Sequence, residues 1–201
     1  MPRAADPTVL QRFSRWLLAR CGWRLEGDAP PFDRCVVIAA PHTSNWDFPW
    51  MLLMAFALGM PVRWLGKHTL FRWPFGGVMR ALGGIAVERS KKGDRVQRIA
   101  ETFRQSAALT LLVPPEGTRS RSEHWRSGFY QIARAAEVPI VFSYLDFGQR
   151  RGGIGPALWP SDDMASDMDQ IRAFYAPMTG LFPELSGPVR LREEDDSGGA
   201  R

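Results

Sequence analysis

The chain has 201 residues, 45% hydrophobic and 23% charged: enough for one filled core, too few for two, and too apolar for a disordered chain. Its formal charge is +5, unevenly spread, with five arginines against Asp6 in residues 1–24 and a run Glu193-Glu194-Asp195-Asp196 near the other end. The basic residues lie among eight tryptophans and many leucines without a nucleic-acid motif, which excludes a nucleic-acid binder in favour of a partner surface of anionic lipid.

Residues 8–21 read as an amphipathic helix, with Val9, Leu10, Phe13, Trp16, Leu17 and Cys21 at helical spacing and Gln11, Arg12 and Arg15 on the other side. Its apolar stripe suits packing on the domain or lying in a membrane interface. Residues 1–24 scatter arginines where a secretory signal would place an apolar block, and no run reaches the ~18 apolar residues of a membrane span. The expected location is therefore peripheral, on the cytoplasmic face of the cell membrane. Strands are predicted at Cys35–Ala39, Val62–Leu65, Ile85–Val87, Leu109–Val113 and Ile140–Asp146. Helices are predicted between them at Phe48–Leu58, from about Asp94 to Ala107, and at Ser127–Glu137, which Pro139 closes. A last stripe, Met164, Met168, Ile171, Tyr175 and Met178, reads as core packing capped by Ser161 or Asp162. Strands alternating with helices predict a single α/β domain with a largely parallel central sheet flanked by helices, preceded by the N-terminal amphipathic helix. The expected divisions are an N-terminal segment 1–31, a folded domain 32–188 and a disordered acidic tail 189–201. Cys21 and Cys35 match no metal or redox spacing and are expected to be buried free thiols.

Two polar motifs interrupt the apolar sequence, each at the end of a predicted strand, where α/β sheets build their sites. The first is His42-Thr43-Ser44-Asn45-Trp46-Asp47. Five residues apart on a regular helix, His42 and Asp47 would face different ways, so they meet only if the chain turns between them. Asp47 suits a helix cap, with Pro49 in the first turn, and it equally suits a carboxylate orienting an imidazole; the closeness of His42 favours pairing. Ser44 sits too near His42 for nucleophilic geometry, and no Gly-x-Ser-x-Gly or His-Glu-x-x-His is present. A base without a protein nucleophile points to activation of a substrate hydroxyl. The second motif, Glu116-Gly117-Thr118-Arg119-Ser120, reads either as a turn with a surface ion pair or as an anion site. In the anion-site reading Gly117 admits a close ligand and Arg119 offers a planar fork. Arg89, after Gly83-Gly84-Ile85-Ala86-Val87-Glu88, is a third candidate cation.

Taken together, the motifs resemble those of the glycerolipid acyltransferase family, which includes bacterial 1-acylglycerol-3-phosphate acyltransferases. His42-x4-Asp47 is similar to its first motif and the Gly83–Arg89 run to its second. Pro115-Glu116-Gly117-Thr118-Arg119-Ser120 resembles the third and Val138-Pro139-Ile140 the fourth, with Lys67-His68-Thr69-Leu70-Phe71 and Pro74-Phe75-Gly76 as the bridge. The resemblance covers about residues 32–146. It departs from the family where Pro114 precedes Pro115, where Phe142 replaces a second proline, and where Arg126-Ser127-Gly128 stands for Lys-x-Gly. It implies an acyltransferase domain, with catalytic His42 and Asp47 and with Arg89, Glu116, Gly117, Thr118 and Arg119 binding the acceptor. The acyl group would pass from acyl-CoA or acyl-carrier protein to a lysolipid hydroxyl, most simply that of 1-acylglycerol-3-phosphate. A lyso-aminolipid or a lysophospholipid with a larger head group is the alternative acceptor, and a non-catalytic lipid-binding protein the alternative function. No cofactor or metal is required. An apolar groove for the acyl chain is expected near Phe71, Trp73, Phe75 and the Trp50–Met60 helix.

Overall fold

In a computed structural model, which describes residues 6–87 and 95–198, a seven-stranded sheet is covered on both faces by helices. In chain order the elements are α1 (Val9–Arg20), β1 (Arg24–Glu26), β2 (Arg34–Ala40), α2 (Asp47–Leu58), β3 (Val62–Lys67), α3 (Gly76–Ala81) and β4 (Gly84–Val87). There follow α4 (Arg95–Gln105), β5 (Leu109–Val113), α5 (Gly128–Ala136), β6 (Ile140–Asp146), β7 (Arg151–Leu158), α6 (Met164–Tyr175) and α7 (Arg192–Gly198). The sheet order is β1-β7-β6-β2-β5-β3-β4, parallel throughout except for the β6–β7 pair.

The period of two along β2 divides the core. Val36 and Ile38 face α4, α5 and α6, where Phe103, Phe129, Tyr130, Met168 and Ile171 seal one face. Cys35 and Val37 face the other side, against Leu52 and Ala55 of α2 and the rings of Trp64 and Phe71. Helix α1 lies outside α2, joined by Leu18 against Met54 and Ala57 and by the Arg15 Nε–H donating to the Ala57 carbonyl at 2.9 Å.

Several expectations change here. α1 does not bury its apolar stripe: Ser14 and Leu18 are its buried residues, while Val9, Leu10, Phe13 and Trp16 are exposed. Cys21 is exposed because it caps that helix, and only Cys35 is buried. Burial pushes the Cys35 thiol up to about 11, which leaves it an inert core residue. The segment 1–31 is no separate unit, since β1 pairs with β7 in the common sheet. β7 carries Gly152, Gly153 and Gly155, poor β-formers whose place is fixed by neighbours: a Cβ at Gly153 would lie 1.9 Å from the Glu26 carbonyl oxygen. The cap of α6 is Asp163, accepting from the Ser166 N–H at 3.1 Å, and not Ser161 or Asp162. The acidic tail expected to be disordered contains α7. Carboxylates in its first turn suit a helix N-terminus, and Glu193, Glu194 and Asp195 reach Ser127, Arg172 and His124. Among the described residues, no helix is long and apolar enough to cross a membrane.

Candidate active site

β2 and β5 are hydrogen-bonded neighbours in register, Ile38 opposite Val113, so the segments that leave their C-terminal ends run side by side. This adjacency brings the two polar motifs together. From Ala40 the chain passes through Pro41–Trp46 and enters α2 at Asp47, and the turn that His42 and Asp47 need is made in that loop. His42 Nδ1 lies 3.0 Å from Asp47 Oδ2, which also accepts the Ser44 N–H at 2.8 Å. Asp47 is therefore the first residue of α2, buried, and its carboxylate spans the loop without acting as the helix cap. The Trp46 N–H donates to Ser44 Oγ at 3.1 Å, and the Phe182 N–H to Thr43 Oγ1 at 3.2 Å. With Nδ1 turned to Asp47, the other ring nitrogen of the part-exposed His42 faces away from the acid.

Glu116 joins the loops from the β5 side. Its Oε1 accepts the His42 backbone N–H at 3.1 Å. Burial pushes its carboxyl up to about 7; the His42 N–H and ring oppose that rise and the Asp47 carboxylate adds to it. Among the described residues its Oε2 and the indole Nε1 of Trp125 are buried without a hydrogen-bond partner, and both residues line a small cavity of about 50 Å³ with Tyr175 and Val189. Gly117 takes φ +66°, and a Cβ there would lie 2.3 Å from Arg126 Nε, so the Arg126 side chain rests on the turn. The Thr118 hydroxyl accepts the Ser120 N–H at 3.2 Å. Arg119 is exposed and its guanidinium donates to Asn45 Oδ1 at 2.5 Å, which ties the two motifs together at the surface.

The structure thus brings together His42, Asp47, Glu116, Gly117, Thr118 and Arg119, while Arg89 lies outside the described residues. Sequence reasoning did not single out Asn45, Trp125 or Arg126. Asn45 stood inside the first motif, and Arg126 at the Lys-x-Gly position; nothing local marked Trp125. Of the acyl groove expected near Phe71, Trp73, Phe75 and the Trp50–Met60 helix, only the helix lines a cleft among the described residues: Phe71 is buried and Trp73 and Phe75 project outward, while Trp50 lines the opening. An apolar cleft of about 480 Å³ opens instead on the other side of α2, lined by Trp23, Trp50, Phe147, Arg150 and Leu181. It adjoins the histidine loop, because Gly180 on its wall packs against Thr43. Among the described residues no group of three or more metal-ligating side chains is assembled.

Comparison with known proteins bears on the fold and the family. The structure is similar to the crystal structure of the 1-acyl-sn-glycerophosphate (LPA) acyltransferase PlsC from Thermotoga maritima. The TM-score is 0.57 and the identity 16%, over 96% of this chain and 79% of that one, a likeness of fold. No curated protein matches the chain in sequence. The family model described as Acyltransferase matches residues 24–143, more than half of the chain, a range within which both motifs fall. The chain therefore belongs to the acyltransferase family, and it is an enzyme that transfers acyl groups.

Proposed function

We propose that this enzyme moves a fatty acyl group from acyl-CoA or acyl-carrier protein to the free hydroxyl of a lysolipid, with 1-acylglycerol-3-phosphate as the leading acceptor. The observation that carries the proposal is the 3.0 Å contact between His42 Nδ1 and a buried Asp47 carboxylate. Asp47 holds the ring orientation and stabilises the imidazolium, leaving Nε2 to act as general base. Nε2 removes the acceptor hydroxyl proton as that oxygen attacks the thioester carbonyl. The C–S bond breaks, the thiolate takes the proton back from the imidazolium, and the products are an ester and a free thiol.

In this reading Arg119, at the mouth of the histidine loop, pairs with the acceptor phosphate, exchanging its neutral Asn45 partner for a charged one. Arg89 is proposed as a second phosphate ligand. Glu116 positions the loop through the His42 N–H, and Gly117 and Thr118 shape the turn that receives the head group. The cleft at Trp23 and Trp50 takes the acyl chain. The outward apolar stripe of α1, with Arg12 and Arg20 beside it, supports peripheral attachment to anionic lipid, and the cytoplasmic face of the membrane is the proposed location.

The test is purified protein with labelled acyl-CoA and acyl-carrier protein against lysolipids of different head groups, read by mass spectrometry. Transfer to 1-acylglycerol-3-phosphate that disappears in a folded His42→Ala protein is the expected result. Preference for a lyso-aminolipid would move the acceptor assignment, and full activity in folded His42→Ala would remove the general base.

A further inference from the structure

Between β3 and β4 the chain makes a small projecting lobe. Its frame is rigid: the Gly76 N–H donates to the Arg72 carbonyl at 2.8 Å, the Met79 N–H to the Phe75 carbonyl at 3.0 Å, and the Arg80 guanidinium to the Phe71 carbonyl at 3.2 Å. Its root is the buried Phe71 ring, stacked on Trp64 with centroids 5.8 Å apart; Trp64 in turn takes Phe48 edge-on at 4.7 Å. Phe48 follows Asp47 directly, so the lobe is anchored on the first turn of α2, beside the proposed base. What this frame presents to solvent is apolar: Trp73 is 93% exposed and Phe75 67%, with Leu70 and Val78 exposed beside them. A braced lobe displaying an indole and a phenyl ring to water marks a contact surface.

The charge around it identifies the partner. From Phe48 to Val87 the sequence contains no aspartate or glutamate, while Arg63, Lys67, Arg72 and Arg80 are basic. Aromatic rings next to cations, without carboxylates, match the head-group region of an anionic bilayer. The second exposed apolar patch, the stripe of α1, lies on the same side of the sheet, because α1 packs on α2 and α2 shares its cluster with Phe71. Both patches thus flank α2, the helix that Asp47 opens.

We propose that the lobe around Trp73 and Phe75 is a second membrane-contacting edge, independent of α1, which sets the His42 mouth against an anionic lipid surface so that the acceptor enters from the bilayer. Only the kinetic arm of its test rests on the lysolipid reading.

The experiment compares the wild type with Trp73→Ser, with Phe75→Ser as a second variant; both side chains are exposed, and the thermal midpoint checks the fold. Binding is measured by co-sedimentation with phosphatidylglycerol/phosphatidylcholine vesicles. Turnover is measured on a vesicle-borne lysolipid and on a short-chain lysolipid dispersed as monomers. The expected result is a vesicle dissociation constant raised about tenfold for each anchor, the scale of withdrawing one large apolar side chain from water. Vesicle-borne turnover falls in proportion and turnover of the dispersed acceptor is unchanged. Unchanged vesicle affinity in both variants overturns the proposal. An equal loss on the dispersed acceptor, or a loss confined to acyl-carrier-protein donor with vesicle affinity intact, also overturns it, in favour of a substrate wall or a carrier-protein dock. Vesicle affinity is measured without substrate, so it decides the matter even if no lysolipid is turned over.

Discussion

The loop after β2 and the turn after β5 lie side by side at one end of the sheet, yet they are built differently. Thr43, Ser44 and Asp47 are buried, and the loop is closed by its own hydrogen bonds, the carboxylate of Asp47 reaching both Ser44 and His42. In the second segment burial stops at Pro115 and Glu116; Gly117 and Arg119 are exposed, and Arg119 holds a neutral amide oxygen that an anion would displace. The difference follows the tasks proposed for them. A general base works from one fixed geometry, while a cation that receives a phosphate needs access and an exchangeable partner.

Four substitutions test that division. His42→Ala is expected to lower kcat by about 10³-fold, within the range of general-base removal, with the thermal midpoint unchanged. A loss of activity that tracked a loss of fold would reduce the closed loop to a structural element. Asp47→Asn keeps the shape but removes the charge, and is expected to lower kcat by about 10²-fold, the low end of the general-base range, with little change in KM. Arg119→Gln, on the open side, is expected to act the other way. It should raise KM for a phosphorylated acceptor by about tenfold, the scale of one charged hydrogen bond, and leave KM for the acyl donor unchanged. Equal effects on both KM values would contradict a phosphate role.

Glu116→Gln makes the smallest change, read as stability. Burial raises the folded-state pKa from 4.5 to about 7, so the native protein binds this proton more tightly than the unfolded chain. The resulting stabilisation is complete below pH 4.5 and is lost as pH rises through about 7, a window worth about 3 kcal/mol at ~1.4 kcal/mol per pH unit. Glutamine has no such dependence and still offers an oxygen to the His42 N–H. The variant is therefore expected to gain stability over the wild type at pH 8 but not at pH 4.5, by denaturant titration at both. A parallel offset at the two pH values would show that Glu116 does not titrate in this range.

Most of the central sheet was legible because its strands β2, β5 and β6 are short, mainly apolar runs of ordinary strand length. β7 was not, because Arg151-Gly152-Gly153-Ile154-Gly155-Pro156 has no strand preference of its own and is fixed by β6 on one side and β1 on the other. The tail helix α7 was hidden for a similar reason: its run of carboxylates looks like a solvated tail until Arg172, His124 and Ser127 are placed beside it. The N-terminal helix was read correctly as amphipathic, but which way its stripe faced depended on Ala57 and Met54 in α2, far along the chain.

The sequence by itself determined the residue types at the site, His42 with Asp47 and Glu116 with Arg119, and their place at strand ends, because motif and apolar periodicity are local properties. Only the tertiary structure decided that Glu116 holds the His42 backbone, that Arg119 meets Asn45, that Trp125 stands behind the carboxyl and that Trp73 faces outward. The first two join segments 74 residues apart in the chain. Their meeting depends on which strands become neighbours in the sheet and which helix face is already occupied, and local sequence pattern records neither.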